Sequence, residues 1–96
     1  MQESRDDSRR LTIDLYDIDS LRYPTITKSV VRLFQLEPAG ELTIGLDEMF
    51  QDYQCERQIV ELEWDPWSGY IVVAKTESAE DLVREIGAFI ESRFSR

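Results

Sequence analysis

Residues 57–75 read RQIVELEWDPWSGYIVVAK, and the rest of the chain can be placed around them. Val60, Leu62 and Trp64 alternate with Ile59, Glu61 and Glu63. A period of two puts the first set on one face of a strand and the second on the other. Asp65-Pro-Trp-Ser-Gly69 is turn chemistry. Asp65 can bond the backbone beyond it, Pro66 presets φ, and Gly69 accepts a positive φ. Tyr70-Ile-Val-Val-Ala-Lys75 is the returning strand, rich in β-branched residues. Together they predict a β-hairpin with a loop of about five residues. Setting Trp64 opposite Tyr70 places Leu62 against Val72 and Val60 against Ala74 on a core face. The other face then pairs Glu63 with Ile71, Glu61 with Val73 and Ile59 with Lys75.

Downstream, Leu82, Val83, Ile86, Phe89, Ile90 and Phe94 form a helical stripe. Ser78 is the expected N-cap of this long C-terminal helix, with Asp81 three residues on. Glu77, Glu80 and Asp81 at its start and Arg93 and Arg96 at its end suit the helix dipole. Upstream, Leu46, Met49, Phe50 and Tyr53 fall at i, i+3, i+4 and i+7, which predicts a short helix over 46–54. An extended lead-in or short strand covers 41–45. Residues 25–36 fit a helix with Ile26, Val30, Leu33 and Phe34 on one face and Thr25 or Thr27 as N-cap. A strand there is also defensible, because Ile26, Val30 and Val31 are β-branched. Adjacent apolar pairs at Val30-Val31 and Leu33-Phe34 break strand alternation and favour the helix. Pro38-Ala39-Gly40 is the expected stop.

Leu11, Ile13 and Leu15 alternate with Thr12, Asp14 and Tyr16, which predicts a strand over 10–16. Residues 1–10 have no apolar residue after Met1 and read as a disordered charged tail. Residues 11–96 then make a single α+β domain. It is a small antiparallel sheet that contains the C-terminal β-hairpin and is packed on one face by helices.

Composition excludes more chemistry than it suggests. The 96 residues hold no His and one Cys. The commonest general base is missing, and so are Ser-His-Asp and Cys-His catalysis. A zinc site would have to be built from carboxylates and one thiol, a poor donor set. Cys55 has an acidic neighbour in Glu56 and reads as an inert thiol. No glycine-rich phosphate loop is present. The expectation is a non-enzymatic protein without cofactor or metal. No apolar run approaches the length that spans a bilayer, and the start MQESRDDSRR is not a signal peptide, so a cytoplasmic home is expected.

The net charge is −9, concentrated in the second half of the chain. Residues 41–66 carry Glu41, Asp47, Glu48, Asp52, Glu56, Glu61, Glu63 and Asp65 against Arg57 alone. Direct contact with a phosphate backbone would be repelled, whereas a basic protein would be attracted. The candidate interaction surface is the mixed face of the hairpin with its turn: Ile59, Glu61, Glu63, Asp65, Trp67, Ile71 and Val73. Trp67 sits in the turn, either as a docking anchor or folded back over the sheet end. The expected function is an acidic protein-interaction module. A more specific form is an acidic inhibitor, an immunity-type protein or a nucleic-acid mimic that binds a basic protein. A second class is a small enzyme or ligand-binding domain that uses carboxylates. Glu61 and Glu63 lie roughly 6.5–7 Å apart along one strand, as paired glycosidase carboxylates can. A third expectation is self-association through the mixed face.

Overall fold

In the computed structural model, which describes residues 1–94, the hairpin forms the middle of a seven-stranded antiparallel sheet. The elements run β1 (Gln2–Arg5), β2 (Leu11–Leu15), α1 (Tyr23–Phe34), β3 (Glu37–Pro38), β4 (Thr43–Ile44), β5 (Met49–Cys55), β6 (Gln58–Asp65), β7 (Gly69–Ala74) and α2 (Glu80–Phe94). Short 3-10 turns at Ser20–Arg22 and Glu77–Ala79 lead into the two helices. Strand order across the sheet is β1-β2-β7-β6-β5-β3, and β4 pairs with the same edge of β5 as β3. The hairpin register is the expected one: Trp64 faces Tyr70, Leu62 faces Val72 and Val60 faces Ala74. The Lys75 amide donates to the Ile59 carbonyl at 2.9 Å, which extends the pairing by one step.

Both helices cover one face of the sheet. Ile13, Tyr70, Val72, Val60 and Leu62 meet Ile26 and Val30 of α1 and Val83, Ile86 and Ile90 of α2 in one buried cluster. The few buried polar groups are paired. The Thr27 and Tyr70 hydroxyls lie 2.6 Å apart, and the Tyr23 hydroxyl donates to the Leu62 carbonyl at 2.6 Å. Trp64 packs at the edge of the core, and its indole Nε1 donates to the Ile18 carbonyl at 2.8 Å. No buried side-chain polar atom among the described residues lacks a partner. No helix among them is long and apolar enough to cross a membrane.

Several sequence expectations change. Residues 2–5 are not a disordered tail, because β1 pairs with β2 from Gln2↔Asp14 to Arg5↔Leu11. All four side chains are exposed, so no apolar pattern could announce the strand. Backbone pairing holds it, and three ion pairs tie it to α2: Met1 amino group to Glu91, Glu3 to Arg84, and Arg5 to Glu80. The short helix over 46–54 is instead β5, paired residue by residue with β6 from Met49↔Trp64 to Cys55↔Gln58. Met49 and Tyr53 share a face in either reading. Leu46 and Phe50 separate the two: Leu46 is fully exposed beyond the strand, and Phe50 lies on the opposite face beside Glu63. An unpaired outer edge on β6 outweighs a short helix of marginal intrinsic stability.

The helix over 25–36 is confirmed, but it begins and ends two residues earlier than expected, at Tyr23 and Phe34. Gln35 takes a left-handed conformation (φ 55°), and the Leu36 amide donates back to the Val31 carbonyl at 3.0 Å. This is a helix-stopping turn without its usual glycine. Leu33 points to solvent, and Pro24 in the first turn replaces a threonine cap. Ser78 lies within the 3-10 turn before α2, where its hydroxyl donates to Thr76 Oγ1 rather than capping the helix. Arg96, placed by sequence at the helix C-terminus, lies outside the described residues.

Candidate functional site: the uncovered face of the sheet

Alternation along each strand sends every second side chain away from the helices. The ladders line these side chains up in two rows. One runs Phe50, Glu63, Ile71, Asp14, and the other runs Asp52, Glu61, Val73, Thr12. Ile59 and Asp65 continue β6 on the same face. Six of the seven expected surface residues are therefore brought together, and Trp67 sits at the hairpin tip beside them. Sequence reasoning missed Asp14 and Phe50, and named Asp52 only as a carboxylate that a pocket could share with Glu61, Glu63, Asp65 or Asp47. The alternation of β2 already pointed Asp14 outward, but the helical reading of 46–54 hid the placement of Phe50 and Asp52.

The face is polar where it meets water. Ile71 and Val73 are only 6% and 5% exposed, so they are not an open apolar strip. They sit beneath a canopy of flanking side chains: Glu63 and Asp14 beside Ile71, Glu61 and Thr12 beside Val73. An apolar docking strip through Ile59, Ile71 and Val73 is therefore corrected to a carboxylate layer over an apolar floor.

Partial burial leaves these carboxylates short of water. Lys75 answers two of them, with Nζ 3.3 Å from Asp52 Oδ2 and 3.9 Å from Glu61 Oε2. Burial pushes the Glu61 carboxyl up, and Lys75 pulls it part of the way back. No ion pair among the described residues reaches Glu63. Burial first, then the charges of Glu61, Asp65 and Glu48, push its carboxyl up to about 7. A hydrogen bond with Glu61 adds to that shift. Asp14 is also raised, chiefly by burial, although the Tyr16 hydroxyl donates to it at 3.2 Å. Burial, more than neighbouring charge, raises the carboxyls of Glu61, Glu63 and Asp14.

The turn is rigid. Asp65 Oδ1 accepts from the backbone N–H of Trp67 at 3.0 Å and of Ser68 at 2.7 Å. Gly69 takes φ +72°, in the left-handed region. This geometry holds Trp67 out at 75% exposure rather than folding it back over the sheet end. Trp67→Ala is accordingly expected to change unfolding free energy by less than about 0.5 kcal/mol, as at an ordinary surface site. A thermal melt of the variant measures this directly.

No family model matches the chain, and no curated protein or solved structure is similar to it. The function must therefore be argued from the site. A recess at the edge of this face holds about 130 Å³ and is lined by Gly40, Glu41, Phe50, Asp52, Glu61 and Lys75 among others. Typical small-molecule pockets hold roughly 300–1,000 Å³. Glu63, the carboxyl best placed for proton transfer near neutral pH, lies outside the recess. No group of three or more metal-ligating side chains converges among the described residues. Cys55 ends β5, half-buried and away from this layer.

Proposed function

We propose that this protein is a non-enzymatic interaction module whose uncovered sheet face binds the basic surface of another protein, with Trp67 as an apolar anchor at its rim. The observation that carries this reading is the cation deficit of the face. Among the described residues, Lys75 pairs with Asp52 and Glu61, Arg10 also acts on Glu61, and no ion pair reaches Asp14, Glu63 or Asp65. Arg or Lys side chains from a partner would supply the missing charge to carboxylates already partly desolvated and fixed on a rigid sheet. An acidic inhibitor, an immunity-type protein and a nucleic-acid mimic are specific forms of the same reading. A carboxylate enzyme draws less support, since the recess is small and excludes Glu63. A cytoplasmic partner belongs to this proposal.

The sign of the proton linkage gives a test. A partner cation favours ionised Glu63, so binding releases a proton wherever free Glu63 is protonated. Affinity is expected to rise from pH 6 to pH 8 and to fall steeply as salt approaches roughly 0.5 M. Immobilised wild-type protein and an Asp52→Asn/Glu61→Gln/Glu63→Gln variant would be used to capture proteins from lysate. The expected result is a basic protein that the wild type holds, that salt elutes, and that the variant loses. Trp67→Ala should weaken the same capture by roughly tenfold or more, as at an interface hot spot. A partner held equally by the carboxamide variant, or one indifferent to salt, would overturn the reading.

A further inference from the structure

We infer that two copies of this chain pair through their helical sides, the acidic tip of the β4–β5 hairpin of each seating in the groove between α1 and α2 of the other. Both halves of this contact are present in a single copy, and neither is satisfied there. The groove holds about 450 Å³ and presents Lys28, Arg32 and Arg93 around Leu33, Phe89 and Phe94. Among the described residues it has no acidic lining side chain, in a chain whose net charge is −9. Helix α1 itself carries Lys28 and Arg32 and no carboxylate. None of the three cations takes part in an ion pair among the described residues, whereas Arg5, Lys75 and Arg84 all do. Leu33, 57% exposed on α1, is an apolar side chain left uncovered between these charges.

The tip is the complement. Ile44 pairs with Met49, and the Gly45 amide closes the turn on the Glu48 carbonyl at 2.8 Å. This fixed turn projects Leu46, completely exposed, between Ile44 at 69% exposure and the carboxylates of Asp47 and Glu48. Neither carboxylate is in an ion pair among the described residues, and no contact in the copy explains a leucine presented this way. An apolar knob flanked by acid matches an apolar groove flanked by base in both sign and character.

The placement allows the contact to be reciprocal. Lys28 lines the α1–α2 groove and also the recess on the other flank of α1, where Leu42 and Ile44 lie. Hairpin and groove thus sit on opposite flanks of one helix. A two-fold axis parallel to α1 carries each hairpin over the partner's groove, which closes the assembly as a dimer. The uncovered sheet face takes no part, so this pairing and the binding proposed for that face can fail independently.

The test is solution mass by light scattering or sedimentation at roughly 100 µM, where a micromolar interface would be largely occupied. The expected species in low salt has twice the 11.3 kDa mass of the chain, and it dissociates as salt rises toward roughly 0.5 M. Lys28→Glu with Arg32→Glu should give a monomer, and so should Asp47→Lys with Glu48→Lys. All four side chains are exposed, so folding is not at stake. Combining both pairs of substitutions in one chain should restore the dimer. Leu46→Ser should weaken association at least tenfold with an unchanged thermal melt. A monomeric wild type, or a dimer untouched by either charge reversal, would overturn the proposal.

Discussion

Gly69→Ala is expected to lower unfolding free energy by about 2–5 kcal/mol, more than an ordinary surface substitution. Two costs combine. The residue sits at φ +72°, where a side chain is disfavoured by about 1–2 kcal/mol. A Cβ there would also drive into the Leu15 carbonyl oxygen and stand 3.0 Å from Tyr16 Cα. Those are backbone atoms of the end of β2 and the residue after it, so no side-chain rotation relieves the contact. β2 must move off β7, at the place where Leu15 pairs with Tyr70. Overpacking of this kind adds about 1–3 kcal/mol. A chain of 96 residues has about 5–14 kcal/mol in total. Urea unfolding of the variant beside Gly40→Ala makes the measurement. Nothing lies within 4 Å of a Cβ at Gly40, so that control should leave the midpoint nearly unchanged. Equal midpoints for the two variants would mean that the hairpin turn does not press on β2 as described.

The second large effect is on pH, and its sign is opposite to ordinary acid denaturation. The Glu63 carboxyl titrates near 7 in the folded protein, against an ordinary value of 4.5. The folded state therefore favours the protonated acid. Its contribution to stability is complete below pH 4.5 and is lost as pH rises through 7. The interval corresponds to about 3 kcal/mol at about 1.4 kcal/mol per pH unit. Water around the half-buried side chain reduces that to about 1–2 kcal/mol. Glu61 and Asp14 are raised as well and act in the same direction. Glu80, lowered by its hydrogen bond from Arg5, acts in the opposite direction at the start of α2. Glu63→Gln should therefore stabilise the protein by about 1–2 kcal/mol at pH 8 and change little at pH 4. Urea unfolding at the two pH values checks this. A variant that gains the same stability at both would show that Glu63 is ionised throughout.

Both predictions depend on residues that the sequence placed correctly. The register of β6 and β7 was legible because its apolar and acidic residues alternate, and a slip of one residue would bury Glu61 and Glu63 in the core. Gly69 and Asp65 announced the turn by residue type. The helix α2 was legible from its stripe, although the 3-10 turn that starts it was not. β1 and β5 were misread for different reasons. β1 buries no side chain, so its pairing leaves no trace in hydropathy. β5 spaces its apolar residues as a helix would, and only the open edge of β6 decides between the two.

The candidate site divides in the same way. The sequence by itself determined that Ile59, Glu61, Glu63, Ile71 and Val73 share one face and that Trp67 stands at the turn, because strand period and turn chemistry are local. Tertiary structure decided that both helices lie on the opposite face and that Asp14 and Asp52 join the carboxylates. It also decided that Ile71 and Val73 are shielded and that, among the described residues, Lys75 pairs with Asp52 and Glu61 rather than with Glu63. Those properties depend on which strands become neighbours across the sheet, and hence on contacts between residues far apart in the chain. The positive groove between α1 and α2 arises in the same way: three cations and three apolar side chains from two distant helices meet only when both pack on one sheet.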